Sequence, residues 1–159
     1  MIPKFRAWDN DEKIMHNHIN IVVDENGSLE AVILKYEFNG YDFCELEVTE
    51  QDNLYIYYED TFPYIIMQST GLKDKNGVEI FEGDILTTEQ YPYQVEGEYN
   101  YHGVVEWDKE SAGYIVVKYV VNPLISGISN GMADRFEEVD GFEVIGNIYK
   151  NPELLEAHT

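Results

Sequence analysis

The stretch from Thr70 to Leu86 constrains the fold of this chain most strongly, because it places two turn signals in one short run. Residues 76 and 77 are an Asn-Gly pair, and these residue types reach the positive φ angles of a tight hairpin at the lowest cost. A second turn signal, Glu82-Gly83-Asp84, follows, and a new predicted strand starts directly after it. We therefore predict a reversal between Leu72 and Val78, a further turn, and entry into a small barrel.

Segments rich in β-branched and aromatic residues, separated by turn residues, run along the whole sequence, and this pattern is typical of strands. They recur about every 8–12 residues, a spacing that favours a barrel or a sandwich. The predicted strands are residues 5–9, 14–23, 29–36, 54–58, 64–68, 85–88, 103–107, 114–121 and 142–149. Residues 41–48 also fit a strand, but a short helix over residues 42–52 is compatible with the same sequence.

The predicted strand over residues 114–121 shows the alternation clearly. Its odd-numbered residues, from Ile115 to Val121, form one wholly apolar face, which we expect to pack in a core. Lys118 belongs to the other face, so we expect that face to be at least partly wet.

The length of 159 residues allows one large domain or two small ones, since domains typically contain about 100–150 residues. We predict two halves in contact: a β-rich part over residues 1–66, and residues 67–159 with the barrel. In the second half, Asn151-Pro152-Glu153 predicts a short C-terminal helix, because Asn suits the N-cap and Pro the first helical position. The predicted fold class is therefore mainly β with a minor α contribution.

The chain is strongly acidic, with a formal net charge of −21. The excess is shared: up to Ile66 there are 4 Lys and Arg against 14 Asp and Glu, and after it 6 against 17. Such a surface repels the phosphate backbone, so we expect no direct nucleic-acid binding. A solvated surface that maintains solubility is favoured over one that imitates nucleic acid and occupies a host DNA-binding protein.

Several classes of site and location are excluded by what the sequence lacks. Cys44 is the single cysteine, which rules out an intramolecular disulfide and a multi-cysteine metal site. No apolar run has signal-peptide length or approaches the roughly 20 residues of a membrane span, so we expect a cytoplasmic protein without membrane contact. No phosphate loop or nucleophile elbow appears, and we expect neither a cofactor nor an enzymatic activity.

Two histidines, His16 and His18, are the nearest approach to a metal site, because they lie on one side of a predicted strand. No third ligand stands at a fixed spacing, so surface histidines are favoured over a metal centre. Asp84 and Cys44 are weaker catalytic candidates, since an Asx turn and core packing explain them better. The acidic run over residues 9–12 is interpreted as a turn with carboxylate caps, not a calcium loop.

Aromatic residues suggest a binding surface. Six of them fall on or beside the loop and hairpin of the presumed barrel: Tyr91, Tyr93, Tyr99, Tyr101, Trp107 and Tyr114. Small barrels can hold peptides in aromatic-lined grooves, and Tyr and Trp dominate interface hot spots. We therefore predict a binding groove or an oligomer interface here, against the alternative that half of these side chains simply cover the barrel.

Three different sequence motifs lie at the start, in the middle and at the end of the chain. They are Ile2-Pro3-Lys4-Phe5-Arg6-Ala7-Trp8-Asp9, then Gln68–Gly77 with Ile80–Ile85, and finally Val144–Tyr149 with Asn151–Leu155. In this order they resemble the YopX-like family of phage and prophage proteins, so the resemblance covers essentially the whole chain. It implies a β-rich N-terminal part followed by an SH3-like barrel, a bacterial phage or prophage context, and no assigned activity or catalytic residues.

We therefore expect a non-enzymatic phage or prophage accessory protein whose aromatic surface binds an unidentified protein partner or further copies of the chain. Two alternatives stay open. One is an acidic, nucleic-acid-mimicking inhibitor of a host DNA-binding protein, and the other is a metal-dependent enzyme that uses His16 and His18.

Overall fold

The computed structural model describes residues 3–23, 25–27, 29–38, 41–45, 64–90, 93–95, 98–122, 131, 133–135 and 141–157. The chain divides into two compact units, Met1–Gln68 and Ser69–Thr159. Both consist mostly of antiparallel strands, which confirms the mainly β prediction. Among the described residues, no helix has the length and apolar character that a membrane span requires.

The first unit is built from neighbouring strands of five or ten residues. They are β1 (Phe5–Asp9), β2 (Ile14–Val23), β3 (Leu29–Phe38), β4 (Tyr41–Glu45) and β5 (Tyr64–Lys73). They form an antiparallel sheet in the order β4-β3-β2-β1-β5, and β5 continues into the second unit. The ambiguous segment is thus a strand over Tyr41–Glu45, while the predicted strand over residues 54–58 lies outside the described residues.

The core of the first unit follows from the period-2 alternation of these strands. Ala7 and Ile19 are buried at its centre. Partly buried apolar side chains pack against them: Phe5, Ile21, Tyr64 and Ile66. Because β1 pairs with both β2 and β5, its inward residues receive apolar neighbours from two sides.

The second unit contains shorter strands. They are the end of β5, then β6 (Glu79–Phe81), β7 (Asp84–Thr87), β8 (Gln94–Val95), β9 (Glu98–Tyr99), β10 (Tyr101–Asp108), β11 (Gly113–Val120), β12 (Ala133–Arg135) and β13 (Glu143–Asn147). Five of them form an antiparallel sheet in the order β12-β11-β10-β7-β13, which curls into a half-barrel. The two predicted turns are present, with φ angles of +83° at Gly77 and +79° at Gly83.

The core of the second unit lies inside this curled sheet. Its buried members are Ile80, Leu86, Tyr93, Tyr101, Val105, Val116 and Phe142. Gly103 permits the close packing of β10 on β11, because a Cβ at this position would lie 2.2 Å from Val116 Cγ1. Any larger residue there would separate the two strands or displace the valine.

Strand β11 is buried on both faces, and the face that carries Lys118 packs in the core of the second unit. Tyr114, Val116 and Val120 pack in the core cluster, and Lys118 shares their face with only 4% of its surface exposed. The prediction that the lysine face is wet is therefore wrong. It failed because the strand is covered on both sides: Val117, on the other face, is also buried.

The predicted C-terminal helix is a single 3₁₀ turn, Pro152–Leu155, with Asn151 at the N-cap. The Asn151 side chain does not cap this turn. Its Oδ1 instead accepts the backbone N–H of Asn147 at 3.3 Å. The turn is held against β10 by a 2.6 Å hydrogen bond between His102 Nδ1 and the carbonyl of Leu154.

Candidate functional site

The Asn-Gly hairpin loop is attached to β13 by the buried carboxylate of Asp74. Its Oδ1 accepts the N–H groups of Asn76 at 2.8 Å and Val78 at 2.9 Å, and its Oδ2 accepts that of Val144 at 3.0 Å. Burial acts to raise the pKa of Asp74, but these donated hydrogen bonds and the Lys75 ammonium outweigh it, so the pKa lies below its usual value. The Asp74 carboxylate therefore has a structural role, because it joins the hairpin loop to β13.

The second turn is connected to two further parts of the half-barrel. The N–H of Gly83 donates to the carbonyl of Val105 at 2.8 Å, and the N–H of Ile148 donates to the carbonyl of Gly83 at 2.9 Å. Asp84 Oδ2 accepts the N–H of Phe81 at 2.8 Å, which is the turn role predicted for this aspartate. These contacts give the motif residues an architectural role.

Two of the six predicted binding aromatics are interior residues. Tyr93 and Tyr101 are each 1% exposed and belong to the core of the second unit. The Tyr93 ring packs edge-to-face on Phe142, with 5.4 Å between the ring centroids. Neither tyrosine offers a surface to a partner in this structure, so a binding role for the aromatic group must rest on its other members.

Tyr93 also joins a polar cluster that the sequence did not reveal. Its hydroxyl donates to Asp134 Oδ2 at 3.2 Å, and Lys118 Nζ forms an ion pair with the same oxygen at 2.8 Å. Burial, and then the negative charge of Asp134, raise the pKa of the Tyr93 hydroxyl. The one available signal was a single lysine within the apolar run of β11.

Trp107 and Tyr114 form the exposed part of the aromatic group. They are direct cross-strand partners in β10 and β11, and their rings meet edge-to-face with 5.1 Å between centroids and 74° between planes. Trp107 is 46% exposed, whereas Tyr114 is partly buried and packs against the core cluster. Of the remaining two, Tyr99 is 40% exposed in β9, and Tyr91 lies outside the described residues.

A carboxylate accompanies this aromatic pair. Glu82 precedes Gly83, and the N–H of Gly83 donates to the carbonyl of Val105. Val105 lies two residues before Trp107 in β10. Burial, and then the negative charge of Glu82, raise the pKa of the Tyr114 hydroxyl. The site therefore combines an exposed indole, a supported phenol ring and a negative charge.

The other predicted candidates occupy less suggestive positions. His16 packs edge-to-face on Tyr64, with 5.9 Å between ring centroids, while the side chains of His18 and Cys44 lie outside the described residues. Asp9 Oδ1 accepts two backbone N–H groups of the following turn, which confirms the carboxylate-capped turn at residues 9–12. Within the described part of the chain, no group of three or more His, Cys, Asp or Glu residues could hold a metal ion.

Comparison with known proteins gives a match over nearly the whole chain. The profile of the family described as YopX protein matches residues 4–156. The crystal structure of protein EF1440 from Enterococcus faecalis is similar, with 34% identity, a TM-score of 0.60, and coverage of 98% of this chain and 99% of that one. Protein yopX from Bacillus subtilis is similar at 20% identity and a TM-score of 0.47, over 96% and 98% of the two chains. No curated protein matches.

Proposed function

The chain belongs to the YopX family, and on this premise we propose that it is a non-enzymatic interaction module that binds another protein through Trp107 and Tyr114. In this proposal it serves as an accessory protein of a phage or prophage in the bacterial cytoplasm. The observation that carries the proposal is the exposed Trp107 ring, held edge-to-face on Tyr114.

The pair has the physical properties of an interface anchor. Trp and Tyr are enriched among the few residues that dominate interface energies, since they bury large areas with little loss of side-chain freedom. The Tyr114 ring is fixed by its contact with the core, and Trp107 is oriented against it. Such preorganisation lowers the entropic cost of binding.

A different protein suits this surface better than a second copy of the chain. Each copy has a formal net charge of −21, so two copies repel each other. A symmetric dimer through the pair would also bring Glu82 close to its own equivalent, because the same patch faces itself across a two-fold axis. We therefore assign a hetero-protein contact to this surface.

Site-specific photocrosslinking tests the proposal. Trp107 is replaced by p-benzoylphenylalanine in cells that produce the protein, and Leu72, which is also 46% exposed, is replaced in the same way as a matched control. We expect a discrete heterologous adduct at position 107 that is missing at position 72. Equal adducts at both positions, none at position 107, or only a homodimer of the 18.5 kDa chain would refute the proposal.

The acidic decoy is the second candidate, and the net charge of −21 supports it. Some carboxylates serve internal contacts instead, including those of Asp74, Asp84 and Asp134. The two candidates differ in their dependence on salt. Binding by a phosphate mimic uses many carboxylates and should weaken steeply between 50 and 300 mM salt, roughly as for a nucleic acid, whereas binding at an aromatic anchor uses few charges and should weaken much less.

A further inference from the structure

Around the exposed aromatic pair, the distribution of charge defines what the partner must present. Trp107 and Tyr114 lie on one face of the β10–β11 hairpin, at the edge of the core that Val105 and Val116 fill. The Glu82-Gly83 turn is attached to β10 at Val105. The turn that carries Glu82 is therefore joined to the strand that carries Trp107, two residues away from it.

The hairpin adds further negative charge. Glu106 and Asp108 flank Trp107 on the opposite face of β10, and Glu110 follows in the turn, where Lys109 is the single cation. Asp108 is occupied by the turn itself, since it accepts the N–H groups of Glu110 and Ser111. Carboxylates thus outnumber cations in this part of the hairpin, and burial, followed by the negative charge of Glu82, raises the pKa of the Tyr114 hydroxyl.

We propose that Trp107, Tyr114 and Glu82 form a binding site for an arginine side chain in a basic segment of the partner protein. This inference rests on the proposed function and adds the chemistry of the partner to it. An aromatic face attracts a cation through its quadrupole, and a neighbouring carboxylate accepts hydrogen bonds from the same cation. Arginine suits both contacts better than lysine, because its planar group stacks on a ring and donates several hydrogen bonds in a fixed fork.

The indole resonances provide a direct readout, because the chain has two tryptophans. Trp107 is 46% exposed, whereas Trp8 is 5% exposed and serves as an internal control. The probe is a short peptide of alternating glycine and arginine, and its matched control has citrulline, which is isosteric but neutral, in place of arginine. We expect the arginine peptide to shift the Trp107 indole signal while that of Trp8 stays in place, and the citrulline peptide to leave both unchanged.

A pair of charge variants tests the role of Glu82. Glu82→Gln and Glu110→Gln remove the same charge, but Glu110 lies in the exposed hairpin turn. We expect the peptide affinity to fall about three- to tenfold in Glu82→Gln and less than about twofold in Glu110→Gln, because a charge-assisted contact acts at short range. Equal losses in the two variants, or equal binding of the citrulline peptide, would overturn the arginine site.

The two proposals fail in different ways. A heterologous crosslink at position 107 without any response to the arginine peptide would remove the arginine site and leave the proposed function standing. A response to the arginine peptide without a heterologous crosslink would support the site chemistry and refute the partner-binding role. Trp107→Ala should abolish the response to the peptide, and its persistence in that variant would place the binding elsewhere.

Discussion

Lys118 Nζ lies 2.8 Å from Asp134 Oδ2, so a lysine in the middle of an apolar strand is neutralised by an aspartate of the neighbouring strand. The lysine side chain is 5% exposed and the aspartate side chain 26%. Because the hydroxyl of Tyr93 donates to the same oxygen, one carboxylate satisfies two interior donors. The short strand β12 is thereby fixed to the core of the second unit.

Removing the lysine charge should therefore destabilise the protein. For Lys118→Met we expect the free energy of unfolding to fall by roughly 2 kcal/mol, less than for a fully buried pair because Asp134 is partly hydrated. Urea unfolding gives the value. Lys75→Met is the matched control, since Lys75 pairs with Glu143 at 3.3 Å with both side chains more than a third exposed, and it should change stability by less than about 0.5 kcal/mol. Equal effects of the two substitutions would contradict the structural role of the cluster.

Tyr93 should tolerate loss of its hydroxyl but not of its ring. We expect Tyr93→Phe to cost about 1 kcal/mol, for the lost hydrogen bond to Asp134, and Tyr93→Ala to cost about 3–5 kcal/mol, for the cavity beside Phe142. Chemical unfolding of the two variants measures both values. A Tyr93→Ala protein as stable as the wild type would show that this residue is not part of the core.

The raised pKa of Tyr93 also predicts that the protein loses stability at alkaline pH. A group with a folded pKa above its unfolded value contributes stability that is present below the unfolded pKa, here near 10.0, and is lost as the pH rises above it. The wild type should lose stability above about pH 10 more steeply than Tyr93→Phe. Unfolding series at pH 8 and above compare the two slopes, and parallel slopes would contradict the prediction.

The lowered pKa of Asp74 predicts the opposite pH dependence, a loss of stability in acid. Its pKa is lowered in the folded state, so its contribution is complete above the unfolded value of 3.8 and is lost as the pH falls below that value. We expect Asp74→Asn to cost about 1–3 kcal/mol at pH 7, because one carboxylate serves three backbone donors. The difference from the wild type should shrink as the pH is lowered towards 2, and a constant difference would refute the assignment.

Gly103 and Val116 should be energetically coupled, because a Cβ at position 103 would lie 2.2 Å from Val116 Cγ1. Gly103→Ala should cost about 2–3 kcal/mol through overpacking, and Val116→Ala a similar amount through a cavity. In the double variant the new methyl group fills the space left by the valine. Its cost should then be smaller than the sum of the single costs by more than about 1 kcal/mol.

Gly113→Ala is the control for this prediction. Only a backbone oxygen at 3.9 Å approaches a Cβ at Gly113, and its φ lies outside the positive region that L-residues avoid. We expect a change of less than about 0.5 kcal/mol in unfolding experiments. Additive costs in the Gly103 and Val116 pair, or a Gly113→Ala protein as unstable as Gly103→Ala, would contradict the close-packing argument.

The sequence located the turns correctly because turns depend on local chemistry. Gly77 and Gly83 adopt positive φ angles, and Asp84 binds the backbone of its own turn, as residue type and spacing indicated. Strands β1, β2 and β3 followed from alternation for the same reason, whereas the segment that contains β4 was also compatible with a short helix. The family motifs could also be recognised from the sequence, since they consist of these turn residues and the strands beside them.

The burial of the Lys118 face of β11, and which tyrosines are buried, could not be predicted from the sequence. Apolar residues occupy both faces of β11, so alternation could not show that the Lys118 face packs inside as well, and the prediction that this face is wet was wrong. A tyrosine can lie in a core or on a surface, because its ring is apolar and its hydroxyl needs only one partner. Tyr93 found that partner in Asp134, 41 residues away in the sequence.

The amino-acid sequence by itself thus determined the β class, the two turns and the acidic character, because each depends on residue type or on neighbours a few positions apart. Only the tertiary structure decided that Lys118 is buried on an aspartate, that Tyr93 and Tyr101 are core residues, and that Trp107 is exposed on Tyr114. These outcomes depend on which distant strands meet and in which register. Strand pairing places residues far apart in the chain side by side, and a local pattern does not contain that information.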